Sequence, residues 1–85
     1  MNISKAEQRT LHALARGGAI AVEKDDRGKI TAVNCMTREG WSLADCDLSV
    51  FAKLKKRRFI SSSRGAPYRI TYEGRLAVRP QIDNR

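Results

Sequence analysis

The sequence is poor in aromatics, cysteine and histidine, and it has no long hydrophobic run. One Trp, two Tyr and two Phe are the whole aromatic complement of 85 residues. A core must therefore come mainly from Leu, Ile, Val and Ala, within a single domain at the small end of what folds alone. Nothing approaches the roughly 18 consecutive apolar residues of a membrane span. The opening residues Ser4, Lys5, Glu7, Gln8 and Arg9 lack the apolar region of a secretory signal, so a cytoplasmic protein is expected. The two cysteines, Cys35 and Cys46, suit that compartment as reduced thiols. With a single histidine, His12, on a different element, they fall short of the usual four or so ligands of a structural metal site.

Catalytic signatures are missing as well. There is no Gly-rich phosphate loop, no histidine beside a nucleophile and no carboxylate pair in an apolar setting. Asp25-Asp26 reads as a turn, and Asp45 and Asp47 flank a helix start. Neither an enzyme activity, a cofactor nor a small-molecule substrate is expected.

Acidic residues are scarce in one part of the chain only. Residues 1–52 carry seven Lys/Arg against seven Asp/Glu, whereas residues 53–85 carry ten against Glu73 and Asp83 alone. The last two-fifths of the sequence thus holds the whole net charge of +8. Such a concentration is an electrostatic footprint for a polyanion or a polyanion-handling partner.

Ser4 followed by Glu7 reads as a capping box. Leu11, Leu14 and Ala15 continue a helical apolar stripe that Gly17-Gly18 stop, giving a first helix over residues 5–16. Ala19-Ile20-Ala21-Val22 and Ile30-Thr31-Ala32-Val33 flank the turn residues Asp25-Asp26-Arg27-Gly28 and form a hairpin. Ile20 and Val22 are expected on one of its faces and Thr31 with Val33 on another. Residues 37–46 read equally well as a short strand or an irregular turn, with Trp41, Leu43 and Cys46 available to the core. An exposed Trp41 beside Arg38 would instead anchor a partner. His12 is expected on the helix surface or half-buried, and both cysteines are expected in the core.

Asp47 caps a second helix ending near Arg57, with Leu48, Val50, Phe51 and Leu54 on its apolar side. Ser49, Lys53 and Lys56 fall on the opposite face, while Lys55 and Arg58 turn back toward the apolar side. Phe59-Ile60 and Tyr68-Arg69-Ile70 bound a second hairpin with a small, basic tip. Thr71 caps a third helix carrying Leu76 and Val78. Pro80 is expected to end it, and residues 81–85 to fray unless Ile82 docks.

The expected fold class is therefore α+β: helix, hairpin, helix, hairpin, short helix in one domain over residues 1–85. Leu54-Lys55-Lys56-Arg57-Arg58-Phe59-Ile60, then Tyr68-Arg69-Ile70-Thr71 and Gly74, resemble the C-terminal half of a winged-helix domain. In such a domain a helix enters the major groove and the hairpin, or wing, straddles phosphates. The first half departs from that pattern, because a hairpin stands where a second helix is usual. Ser49, Lys53, Lys56, Arg57, Arg64 and Arg69 are the candidate residues for contacting nucleic acid or a protein partner.

A second resemblance covers Ser4 to Arg85. Gln8-Arg9-Thr10-Leu11-His12, Ala15-Arg16-Gly17-Gly18, Thr31-Ala32-Val33, Cys35, Thr37-Arg38-Glu39-Gly40, Asp45-Cys46, Pro67-Tyr68-Arg69-Ile70 and Asp83-Asn84-Arg85 are similar to blocks of the YjhX-type family of short bacterial proteins. That resemblance implies the toxin of a toxin–antitoxin pair and an inhibitor of DNA topoisomerase I. The implied partners are topoisomerase I, duplex DNA or both, together with an antitoxin protein. A DNA-binding winged-helix transcriptional regulator is the competing expectation.

Overall fold

The computed structural model describes residues 3–78. The expectations for Pro80, Ile82 and residues 81–85 lie outside the described residues.

Helix α1 (Lys5–Ala15) starts where the sequence places it. The Ser4 hydroxyl accepts from the Glu7 amide at 3.1 Å, and the Ser4 amide donates to Glu7 Oε1 at 3.2 Å. Leu11 and Leu14 supply its buried stripe. The chain then turns through Gly17, whose φ of +107° only glycine adopts without strain. Gly18 follows with no room for a side chain, since a Cβ there would lie 2.5 Å from the Met36 carbonyl oxygen.

Strands β1 (Ala19–Lys24) and β2 (Ile30–Met36) form the first antiparallel hairpin. Ile20 faces Cys35 and Val22 faces Val33, and all four side chains meet the core. At the open end the register slips between Glu23 and Lys24, which leaves Thr31 unpaired between Ile30 and Ala32. The bulge turns Thr31 to solvent and brings Ile30 against the core. Thr31 and Val33 therefore do not share a face as strict alternation would have it. Asp25 closes the turn, its Oδ1 accepting from the amides of Arg27 and Lys29 at 2.9 Å each.

Residues 37–46 are irregular rather than a strand. A single bridge joins Met36 to Ser42 after a turn closed by the Gly40 amide on the Thr37 carbonyl. Leu43 packs against the core and Cys46 enters it, but Trp41 is 73 % exposed. The turn points the indole away from the domain, which overturns its assignment to the core.

Helix α2 (Leu48–Lys56) begins at Asp47, whose Oδ1 accepts from the Val50 amide at 2.9 Å. Val50, Phe51 and Leu54 are buried. Leu48 is 43 % exposed, because the first helical residue lies at the margin of the buried arc rather than within it. Strands β3 (Ile60–Ser61) and β4 (Arg69–Ile70) form the second hairpin, pairing Ile60 with Ile70 and Ser61 with Arg69. Tyr68 is not paired across this hairpin. It exchanges backbone hydrogen bonds with Ile20 at 2.9 and 2.7 Å, so it ties the second hairpin to β1.

Helix α3 (Tyr72–Ala77) is capped by Thr71, as expected. Its buried residue is Gly74; Leu76 is 69 % exposed, and Val78 packs beside the core just beyond the helix end. The helix is too short to present a continuous apolar stripe, and it docks through its backbone at Gly74 instead. One cluster of Leu11, Leu14, Ile20, Cys35, Cys46, Val50, Phe51, Leu54, Phe59 and Ile60 joins α1, β1, β2, α2 and β3, and Ile70 of β4 and Ala77 of α3 pack against it. No helix among the described residues is long and apolar enough to cross a membrane.

Candidate polyanion and partner interface

Burial of one face of α2 forces its polar residues outward. Ser49, Lys53 and Lys56 are exposed at helical spacing along that outer face. Lys53, Lys55 and Lys56 also occupy the last turn, where cations oppose the negative end of the helix dipole. Lys55 leans toward the apolar side, its Nζ 5.9 Å from the centre of the Tyr68 ring. That ring meets Phe51 edge-on at 4.9 Å.

The basic run does not continue as helix. Arg57 caps α2, and Arg58 takes a left-handed conformation with φ of 62°. The Arg58 amide donates to the Lys55 carbonyl and the Phe59 amide to the Leu54 carbonyl, each at 3.0 Å. These are the two bonds of a Schellman termination, with arginine at the position that usually holds glycine.

Six residues were expected to form the interface, and they fall into three settings. Ser49, Lys53 and Lys56 make the stripe on α2. Arg64 and Arg69 are exposed on the second hairpin, Arg64 at its tip with φ of 54°. Arg57 is half-buried instead: its Nε lies 3.2 Å from Oε2 of Glu7, a carboxylate only 3 % exposed. Its charge is committed in part to joining the C-terminus of α2 to the N-terminus of α1. Lys53, Lys56 and Arg57 line a cleft of about 670 Å³ against Ile3, Ser4 and Glu7.

A second cationic group escaped the charge count, because the half of the sequence that holds it is neutral in sum. Arg9 and His12 from α1, Arg16 at its C-cap and Arg38 from the turn after β2 line a cleft of about 490 Å³ with Thr37, Glu39 and Leu43. Arg9 is bound there to Asp45 at 2.9 Å. The spacing of Arg9, His12 and Arg16 along one helical face was the available signal.

Cys35 and Cys46 are free, buried and hydrogen-bonded to each other. This bond and burial push the Cys35 thiol well above the ordinary thiol range. The same bond holds Cys46 below that range, helped by the Thr10 hydroxyl and opposed by burial and by the charge of Asp47.

The family profile described as "Putative toxin of bacterial toxin-antitoxin pair" matches residues 1–85. The chain belongs to the YjhX toxin family. Among relatives, a UPF0386 protein of Parvibaculum lavamentivorans is 68 % identical over 85 residues, covering 100 % of both chains. Another from Rhodospirillum centenum is 65 % identical, covering 100 % of this chain and 99 % of its own. A third, from Chelativorans, is 54 % identical over the full length of both. No solved structure matches. Membership of the YjhX family implies an antitoxin partner.

Proposed function

We propose that this protein is the toxin of such a pair and that it inhibits DNA topoisomerase I by binding rather than by catalysis, in the cytoplasm. The contact surface is the outer face of α2 together with the tip of the second hairpin. The observation that carries this reading is the separation of faces on α2: Val50, Phe51 and Leu54 are buried, while Lys53 and Lys56 are exposed. Exposed cations on a rigid, well-capped element suit either the acidic surfaces of a DNA-handling enzyme or the phosphates of its substrate. Arg64 and Arg69 extend the same charge onto the hairpin.

Purified protein should retain topoisomerase I in a pull-down without DNA and should block relaxation of supercoiled plasmid. Lys53→Glu with Lys56→Glu should abolish both effects while leaving the fold intact. Undiminished relaxation at excess wild-type protein would sink the proposal.

The order helix, hairpin, short helix over α2, β3–β4 and α3 favours one second reading, a winged-helix regulator that binds duplex DNA directly. Its signature is salt dependence, with log K falling by about 0.9 per phosphate neutralised for each decade of salt. A flat salt response would remove it.

A further inference from the structure

Beside the basic stripe, α2 borders a groove that charge alone does not explain. It has a volume of about 550 Å³ and is lined by Ile30, Leu48, Phe51, Ala52, Lys55 and Lys56. The bulge at the end of the first hairpin brings Ile30 to one wall. Leu48 and Ala52, one helical turn apart, form the other, and Phe51 closes the floor. A further turn along, the wall becomes Lys55 and Lys56. The groove is therefore apolar at the start of α2 and cationic at its end. Leu48 contributes a side chain left 43 % exposed next to this hollow.

We propose that this groove docks an acidic amphipathic segment of a protein partner, with the segment's apolar side chains against Leu48, Ala52 and Ile30 and its carboxylates against Lys55 and Lys56. This deepens the toxin reading and rests on it, because it identifies the chemistry by which the antitoxin would be held. Three physical points select that occupant. Duplex DNA presents phosphates and sugars to a helix margin, so it would answer Lys55 and Lys56 but would lay polar groups against Leu48 and Ala52. A second copy of the chain would bring one lysine pair up to another in a protein of net charge +8. A segment with both apolar and anionic side chains buries the leucine and neutralises the lysines together, which is the mode of an amphipathic segment in a groove.

The test uses the full chain, labelled with ¹⁵N, and a synthetic peptide with Leu on one helical face and Glu on the other. A Ser/Glu peptide of equal charge is the control. The Leu/Glu peptide should shift the amide resonances of Ile30, Leu48, Ala52 and Lys55, and the control should bind at least tenfold more weakly. Leu48→Ser should weaken the Leu/Glu peptide roughly tenfold, in line with the loss of one buried leucine contact. Lys55→Gln should weaken it severalfold and flatten its salt dependence. Equal binding of both peptides, or no effect of Leu48→Ser, would overturn the proposal. So would displacement of the peptide by duplex DNA with shifts at the same residues, which would make the groove a nucleic-acid surface. Because Leu48 is exposed, the variant should fold normally, and its thermal unfolding checks this. Peptide binding is read apart from topoisomerase relaxation, so failure of the groove and failure of the inhibitor reading give different results.

Discussion

The Thr71 hydroxyl donates a 2.7 Å hydrogen bond to the Arg58 carbonyl, reaching from the start of α3 to the left-handed residue that ends α2. The same oxygen accepts from the Gly74 amide at 3.0 Å, and the Thr71 amide donates to the Phe59 carbonyl at 2.9 Å. One side chain thus caps one helix and fixes the exit of another. Thr71→Val keeps the shape and removes both hydroxyl bonds. It should cost about 1–2 kcal/mol in urea unfolding, the range of a lost N-cap, and should increase amide exchange across β4 and α3.

Gly74 is the point at which α3 meets that junction. A Cβ there would overlap the Phe59 carbonyl oxygen and lie 2.7 Å from Cγ1 of Ile70. Backbone cannot yield as a flexible side chain does, so Gly74→Ala should destabilise by about 3 kcal/mol or more. Glu73→Ala, one residue away and exposed, should change stability by no more than about 0.5 kcal/mol. Comparable midpoints for the two variants would refute the packing argument.

Arg58 occupies a conformation that costs a non-glycine residue about 1 kcal/mol or more. Arg58→Gly should relieve it and raise stability by about 0.5–1 kcal/mol, part of the gain being offset by the freer unfolded chain. If the arginine is retained for its charge, the stabilised variant should inhibit or bind less well. Thermal unfolding beside the relaxation assay separates the two effects.

The bridge between Glu7 and Arg57 joins the two principal helices. Glu7→Ala removes this contact together with half of the capping box, and should cost about 2–3 kcal/mol, below the full value for a buried pair because Arg57 is 29 % exposed. Glu7→Gln preserves the cap's geometry and should recover part of that loss. Equal destabilisation by both variants would assign the whole effect to the charge pair.

The buried thiols predict a pH optimum for stability. Cys46 titrates below the ordinary thiol range and Cys35 above it. As pH rises toward that range, the folded pair has given up a proton that the unfolded chain still holds, and stability climbs. Beyond it, the unfolded chain has lost both protons while the folded pair keeps one, and stability falls. The urea midpoint should therefore peak near the ordinary thiol pKa of about 8.5, and a double Cys35→Ser, Cys46→Ser variant should lose the peak.

Local chemistry was legible wherever a short stretch of chain decides the outcome. Ser4 with Glu7, Asp47 and Thr71 each cap a helix as their spacing implies, and both hairpins form where the turn residues stand. Leu48 and Trp41 were read as core-facing, and they and Leu76 are exposed for one reason. Hydrophobicity marks a residue as able to enter a core, but whether it does depends on what packs opposite, and these three face solvent. Thr31 was misread because one inserted residue reverses the alternation beyond it. Of the candidate interface, the stripe of Ser49, Lys53 and Lys56 follows from helical periodicity alone. The partial commitment of Arg57 to Glu7 does not, since the two lie far apart along the chain.

The sequence by itself determined the inventory: few aromatics, no apolar run long enough for a membrane-crossing helix, and a neutral first part followed by a segment that holds the entire charge excess. These are sums and short-range patterns, which need no knowledge of neighbours in space. Tertiary structure decided the rest. It drew Tyr68 out of its own hairpin to bridge Ile20, made Gly74 the seat of α3, and set Ile30 opposite Leu48 to open a groove beside the lysines. Each of these joins residues distant in sequence. Only the competition of all such pairs for one small core settles which cations remain in water and which, like Arg57, are partly spent on holding the fold.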